Sequence, residues 1–468
     1  MSNHYDLLVI GSGPAGESAA ELAAYFGHRV ALIERNKPGG TVTTRGGAPT
    51  KTLREAALAL TGFYQQEVYG MNLGAPPAVA LDKLTERTRQ VCQMAQAATA
   101  RRLALFDIVY LQGAARLIGG SKVLLTATDG ASTELAADVI LLATGSRPWR
   151  PSNLPFADPA VFDADGIYNL TALPKYLCIL GGGPIGVEFA TIFNALGAKV
   201  TLTQRDDRLA PTMDGELSRM MAQILEERGV QVRLGAGTEA VTRVGDCLHV
   251  TLSNGAVVET EAVFFAAGRS PNTEELGLSD IGVAVDKRGY IVVDPKFQTS
   301  VPGVYAAGDV VGAGLASVAM TQGRLAICQA FRAPFGRDLL EIVDPTPISA
   351  VYGMPEMAGV GLTEEQCQQQ GIDYVVGRST FASVLRGAIS GHDGLLKLIF
   401  QPGDRRLLGV HCLGEMASEL IGMGQMVLHY GGALDVFTTV MLPTPTYSYA
   451  YKNAALEGLV RLGKRADV

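Results

Sequence analysis

Apolar and polar positions along the first part of the chain fall into a pattern that later recurs. Tyr5 to Ile10 is a short apolar run, followed at once by Gly11-Ser12-Gly13-Pro14-Ala15-Gly16 and then by an alanine-rich stretch reaching Gly27. This order reads as strand, glycine turn and helix. A second apolar run, His28 to Ile33, predicts another strand and ends in Glu34. The same order returns with Tyr176 to Leu180, Gly181-Gly182-Gly183-Pro184-Ile185-Gly186, a helix through Leu196 and a strand from Lys199 to Thr203. One such glycine turn is a weak signal, but two in the same strand and helix context predict two dinucleotide folds.

The chemistry follows from the spacing. Gly11, Gly13 and Gly16 let the backbone approach a pyrophosphate at a helix N-terminus, where free N–H groups and the helix dipole favour negative charge. Glu34 lies 34 − 16 = 18 residues beyond Gly16, close to the offset of a carboxylate that accepts a hydrogen bond from a free ribose 2′-hydroxyl. In the second copy Gly181, Gly183 and Gly186 repeat the turn, but the same offset (186 + 18 = 204) lands on Gln204, followed by Arg205, Asp206, Asp207 and Arg208. A neutral amide with Arg205 and Arg208 admits a 2′-phosphate, so NADP(H) is expected there. Gln204 also suits a bare ribose, and the two aspartates temper the attraction for phosphate, so NAD(H) is expected as well.

At 468 residues the chain exceeds the roughly 250–300 at which one core stops growing, so several domains are expected. Apolar residues make up 47% and charged residues 18%, with 55 glycines, a composition of compact globular domains. The net charge of −7 without blocks of like charge argues against nucleic-acid or membrane partners and for small-molecule ones. The N-terminus lacks a basic leader and no apolar run approaches the roughly 20 residues of a membrane span, which predicts a soluble cytoplasmic protein. Six cysteines stand far apart, without a CxxC pair or zinc-like spacing, and read as packed and inert. His392, His411 and His429 lie apart from any acidic or cysteine cluster in the sequence and read as structural, with no metal site.

Three further motifs appear in order: Ala143-Thr144-Gly145-Ser146-Arg147-Pro148, Ala266-Ala267-Gly268-Arg269-Ser270-Pro271-Asn272 and Val304-Tyr305-Ala306-Ala307-Gly308-Asp309. With the two glycine turns, they resemble the two-dinucleotide flavoprotein family of glutathione reductase and dihydrolipoamide dehydrogenase nearly end to end. The resemblance implies an α/β fold with two Rossmann-like domains and a C-terminal α+β dimerisation domain. The FAD domain would span 1–150 and 272–345, the NAD(P) domain 151–271, and the interface domain 346–468, starting near Pro347-Ile348-Ser349 and forming a homodimer. It also implies that FAD is held by Arg35, Gly40, Thr41, Lys51, Ala115, Thr144, Gly145, Gly308 and Asp309 besides the first glycine set and Glu34, with Asp309 on the ribityl chain. Ile185, Glu188 and Gly268 join the NAD(P) set. Lys51 would stand beside flavin N5, with Glu188 paired to it, as the catalytic residues.

The same alignment shows what is missing. Where the family's disulfide reductases carry GGxCxxxGCxPxK, this chain reads Gly39-Gly40-Thr41-Val42-Thr43-Thr44-Arg45-Gly46-Gly47-Ala48-Pro49-Thr50-Lys51, with Val42 and Gly47 at the cysteine positions. Neither forms a thiolate, so a dithiol relay has no carrier. The C-terminal loop Leu442-Pro443-Thr444-Pro445-Thr446-Tyr447-Ser448-Tyr449-Ala450-Tyr451 has Thr444 and Tyr449 where the family places its histidine and glutamate. Electrons must therefore leave at the flavin itself. The N-terminal run and the C-terminal Pro445-Thr446, Ala450-Tyr451 and Ala454-Ala455-Leu456 are similar to soluble pyridine nucleotide transhydrogenases, which implies NAD⁺ as acceptor. That family commonly keeps the first cysteine, whereas Val42 stands here. A quinone or small oxidant over the opposite flavin face is the alternative; Tyr447, Tyr449 and Tyr451 either line that acceptor pocket or, as loop tyrosines more often do, pack at an interface. A third reading is a flavin-binding sensor or assembly subunit whose catalysis has decayed, against which the retained Lys51 and Glu188 argue.

Overall fold

The computed structural model of the chain describes residues 3–64, 70, 81–170, 172–312, 314–332 and 348–466. Pro347 and the expected domain boundary at 345/346 lie outside the described residues. The chain divides into two compact units: Met1–Thr52 with Asp82–Trp149 and Gly268–Asp344, and Leu53–Leu81 with Arg150–Ala267 and Pro345–Val468.

In the first unit, five strands run parallel in the order Val109–Gly119, Val30–Glu34, His4–Ile10, Ser132–Leu142, Val304–Ala306. Lys122–Ala127 pairs antiparallel with both Val109–Gly119 and Ser132–Leu142, so those two strands continue into a meander. The central strands are apolar without alternation because both faces are covered. Leu7, Leu8, Val9, Leu32 and Ile33 are all buried, each contributing roughly 1.5–3 kcal/mol. The second strand begins at Val30 rather than His28, because Gly27 (φ +84°) turns the chain at the helix end and His28 stacks on Phe331 at 3.9 Å. The helix Pro14–Tyr25 packs closely on Ala316–Phe331, where a Cβ on Gly323 would stand 2.2 Å from the Ala15 carbonyl oxygen.

The second unit repeats the plan. Its parallel order is Gln231–Arg233, Lys199–Thr203, Tyr176–Leu180, Ala262–Phe265, Val161–Asp163, beside an antiparallel meander of Thr238–Val244, Cys247–Leu252 and Val257–Thr260. The helix Pro184–Ala195 follows its first glycine turn, and its apolar face joins the core through Val187, Phe189, Ala190 and Phe193. The C-terminal part is a five-stranded antiparallel sheet, ordered Ser349–Val351, Glu356–Gly361, Leu407–Gly414, Leu395–Phe400, Val375–Thr380, covered by the helices Ala417–His429 and Tyr449–Ala466. Met426, Tyr430, Val440, Met441, Leu456 and Val460 are exposed apolar side chains of this part in the single chain. Among the described residues, no helix is long and apolar enough to cross a membrane.

Candidate functional site

The two glycine turns have nearly the same geometry. In each, the third glycine sits under the turn so tightly that a Cβ would lie 1.9 Å from the Gly11 carbonyl oxygen at Gly16 and 1.8 Å from that of Gly181 at Gly186. The middle glycines differ: a Cβ on Gly13 or Gly183 would meet nothing within 4 Å. Each is the N-cap of its helix, and neither supplies a side-chain cap. Both helices thus begin with a proline, which has no N–H to satisfy, and carry no side-chain cap on their first turn, which fits the pyrophosphate of a dinucleotide. Gly40 (φ +56°) closes the first cradle, since a Cβ on it would stand 2.8 Å from the Gly13 Cα; Thr41 follows it in the short helix Gly40–Thr44.

Glu34, the last residue of its strand, is buried, and its carboxylate is fixed at both oxygens. Oε2 accepts from the Ser12 N–H and Oγ, each at 2.9 Å, and Oε1 accepts from the Asn36 N–H at 2.8 Å. Arg35 is half-exposed, with Nη1 3.5 Å from Glu275. Ala115 lies partly exposed on the meander, paired with Leu125. Thr144 and Asn272 clasp each other, Thr144 Oγ1 donating to the Asn272 carbonyl and Asn272 Nδ2 to that of Thr144, which holds Gly145 (φ +68°) at the end of its strand. Gly308 donates its N–H to Gln322 Oε1 at 2.9 Å.

Asp309, like Glu34, is held at both oxygens. Its Oδ2 accepts from Ser146 Oγ at 2.7 Å and lies 3.7 Å from Arg269 Nε, while Oδ1 accepts from the Gly314 N–H at 3.2 Å. Arg269 also donates to Ser146 Oγ (2.7 Å) and to its carbonyl (2.9 Å). Ser146 and Arg269 belong to quoted motifs but carry no expected role; they are positioning residues for the carboxylate expected on the ribityl chain. Hydrogen bonds to charged groups contribute about 1.5–3 kcal/mol. Ser146→Ala is therefore expected to weaken FAD retention about tenfold or more, measured as flavin released on ultrafiltration of the purified protein.

At the positions of the lost cysteines the backbone is still arranged for contact. A Cβ on Gly47 would lie 2.8 Å from Val42 Cγ1 and 2.5 Å from the Val42 carbonyl oxygen, so Val42 fills the space a second side chain would need. Lys51, on the helix Ala48–Tyr64, is partly buried, its N–H donating to the Gly47 carbonyl. In the second unit Glu188 is buried on the helix Pro184–Ala195, and its Oε1 accepts from the Tyr352 N–H at 2.9 Å.

Gln204 follows directly on the strand Lys199–Thr203, whereas Glu34 is the last residue of its own strand. Gln204 Oε1 accepts from the Gly182 N–H at 2.8 Å, and its Nε2 donates to Asp206 Oδ2 at 2.6 Å. Arg205 is 86% exposed, its Nε 3.8 Å from Asp206. Arg208 donates to Glu365 (3.2 Å) and to the Pro211 carbonyl (2.8 Å), contacts that brace the loop. Ile185 is partly buried against the core, and Gly268 (φ +140°), expected on the NAD(P) side, falls in the first unit beside Trp149.

In the tyrosine loop, Tyr447 and Tyr451 are packing residues. Tyr447 and Tyr451 do not line an open pocket: Tyr447 stacks on Phe381 and Tyr451 on Phe437, and both are buried. Tyr447 Oη donates to Glu415 at 2.7 Å; burial, with Glu415 beside it, pushes this hydroxyl up to about 12, so it stays protonated. Tyr449 is partly buried against the same core. His392, solitary in sequence, contacts Glu415 in space. His411 is buried with Nε2 2.9 Å from the Leu362 carbonyl oxygen, and burial keeps it below its ordinary range. All six cysteines are free, and burial pushes the Cys178 thiol up to about 12.

Paired glycine turns, a fixed carboxylate at Glu34 and a braced Asp309 are the marks of a flavoprotein with two dinucleotide folds. Residues 5–323 match the family model described as pyridine nucleotide-disulphide oxidoreductase, and residues 348–455 match the dimerisation domain of that family. The chain belongs to this family and is an FAD-dependent NAD(P)H oxidoreductase. It is 38% identical over 459 residues to a soluble pyridine nucleotide transhydrogenase of Mycobacterium tuberculosis, covering 97% of each chain, and 37% identical over 468 residues to the soluble pyridine nucleotide transhydrogenase of Yersinia pestis, covering 98% of this chain and 99% of that one. Among solved structures it resembles LpdA of Mycobacterium tuberculosis (27% identity, TM-score 0.88, covering 96% of this chain and 99% of that one) and the HOCl-induced flavoprotein disulfide reductase RclA of Escherichia coli (28%, 0.85, 97% and 99%). The dimerisation-domain match supports a homodimer.

Proposed function

We propose that this protein transfers hydride from NADPH or NADH to NAD⁺ through its bound FAD, in the manner of a soluble pyridine nucleotide transhydrogenase, and reduces no disulfide. The observation that carries this reading is that Val42 and Gly47 stand at the two cysteine positions, where a Cβ on Gly47 would lie 2.5 Å from the Val42 carbonyl oxygen, so that no thiol carrier is present there while the glycine turns persist. When bound, FAD supplies the two-electron acceptor that accepts and returns hydride. The first glycine set with Glu34, Arg35, Gly40, Thr41, Ala115, Thr144, Gly145, Gly308 and Asp309 holds it. Gly181, Gly183, Ile185, Gly186, Gln204 and Arg205 hold the nicotinamide dinucleotide. Lys51 offers a cation to the charge that develops on reduction, and Glu188 is the second catalytic residue, the standing the family resemblance gives them.

Similarity to named transhydrogenases across nearly the whole chain supports NAD⁺ as acceptor. A two-nicotinamide exchange at one site predicts steady-state ping-pong kinetics. NADPH oxidation against a thionicotinamide analogue of NAD⁺ should give parallel double-reciprocal lines, and oxidised glutathione and lipoamide should give no turnover. Turnover with a benzoquinone but none with the analogue would move the function to quinone reduction.

A further inference from the structure

The two strand ends invite a direct comparison. In the first fold the carboxylate stands on the last strand residue, Glu34, and is held by Ser12 and by the N–H two residues on, that of Asn36. In the second fold the residue that follows the strand Lys199–Thr203 is an amide, Gln204, held by the Gly182 N–H, and a carboxylate appears two residues on, at Asp206. The amide joins the two: its oxygen is committed to the backbone and its nitrogen to Asp206 at 2.6 Å. Gln204 is buried, so this arrangement is rigid at one end, while Asp206 is 41% exposed at the other. The negative charge has thus been moved outward by one side chain. The nearby backbone fixes the turn as well, the Gly235 N–H donating to the Asp206 carbonyl at 2.9 Å. With Arg208 committed to Glu365 and Pro211, the cation beside this carboxylate is Arg205, exposed and only 3.8 Å from it.

We infer that Asp206 is the residue that selects between the two nicotinamide dinucleotides. This rests on the reading that the second glycine fold binds them. Held by Gln204, the Asp206 carboxylate accepts a hydrogen bond from the free ribose 2′-hydroxyl of NAD(H) and repels the 2′-phosphate of NADP(H). Arg205 acts in the opposite sense, offsetting the repulsion when the phosphate is present. The opposed pair lets one site take both nucleotides, which a transhydrogenase needs, and each residue tunes the ratio without touching the glycine cradle.

The test uses the FAD-loaded protein and two fragments that carry only the recognised end, adenosine 5′-monophosphate and adenosine 2′,5′-bisphosphate, titrated by calorimetry. Removing a like charge a few ångströms from a phosphate should change affinity about ten- to hundredfold. Asp206→Asn should tighten the bisphosphate by that factor and weaken the monophosphate a few-fold, and Arg205→Gln should weaken the bisphosphate while leaving the monophosphate within about twofold. If the wild-type protein binds the monophosphate but neither variant alters the ratio of the two affinities, the inference is wrong and the nucleotide site stands. If the wild type binds neither fragment, nor NADH nor NADPH, the site reading fails and takes the inference with it.

Discussion

Lys397→Met should cost about 3–5 kcal/mol, the usual penalty for leaving buried charges without their partner, and lower the thermal midpoint by several degrees. Lys397 is 1% exposed in the wholly buried strand Leu395–Phe400 and is ringed by Asp214, Glu216 and Glu364. Burial penalises its charge, but Asp214 foremost and Glu364 hold it above its ordinary range; burial likewise works against the Asp214 carboxylate, which His411 and Lys397 hold below its own. Asp214 is completely buried and caps the helix Gly215–Glu227, accepting from the Glu216 and Leu217 N–H groups. The network therefore joins the second dinucleotide fold to the C-terminal sheet within the same unit. Adding Asp214→Asn to Lys397→Met should recover part of the loss, because the deepest unpaired charge is then gone while a capping oxygen remains. Scanning calorimetry of the two variants checks both statements, and a double variant no better than the single one would place the cost in packing instead of charge.

The second large effect is expected on rate. Lys51→Met should slow flavin reduction by NADH or NADPH about 10²–10³-fold in stopped-flow experiments, the loss typical of removing one preorganised electrostatic contact, while FAD content stays near wild type. Lys51→Arg should recover part of the rate, since charge survives while the shape changes. An unchanged rate in Lys51→Met would remove the cation from the hydride step and leave it a structural role only.

Both dinucleotide folds are legible in the sequence because their signals are local. Strand, glycine turn and helix occupy the consecutive residues His4 to Tyr25 and Tyr176 to Ala195, and the glycines are required by the close approach of one turn to itself at Gly16 and Gly186. What escapes the sequence is the contact made over distance. Ser146 and Arg269 reach Asp309 from far along the chain, so their support of its carboxylate shows only in three dimensions. Arg208 looks like a phosphate ligand by its spacing, and its contact with Glu365, 157 positions away, is not visible there. Tyr447 and Tyr451 look like loop residues until the core around Phe381 and Phe437 is seen to enclose them. Lys397 interrupts an apolar run that is buried throughout, and its three acidic partners come from two other segments. The loss of the cysteines is plain in the sequence, whereas the steric fit between Val42 and Gly47 that accompanies it is not.

The most direct test of the central claim is an anaerobic titration of the purified yellow protein with NADPH, followed by addition of NAD⁺, with the flavin absorbance recorded throughout. Bleaching by NADPH and full recovery on NAD⁺, with one NADH formed per flavin reoxidised, is the predicted result; bleaching that NAD⁺ leaves unchanged and only a quinone or oxygen reverses would contradict it.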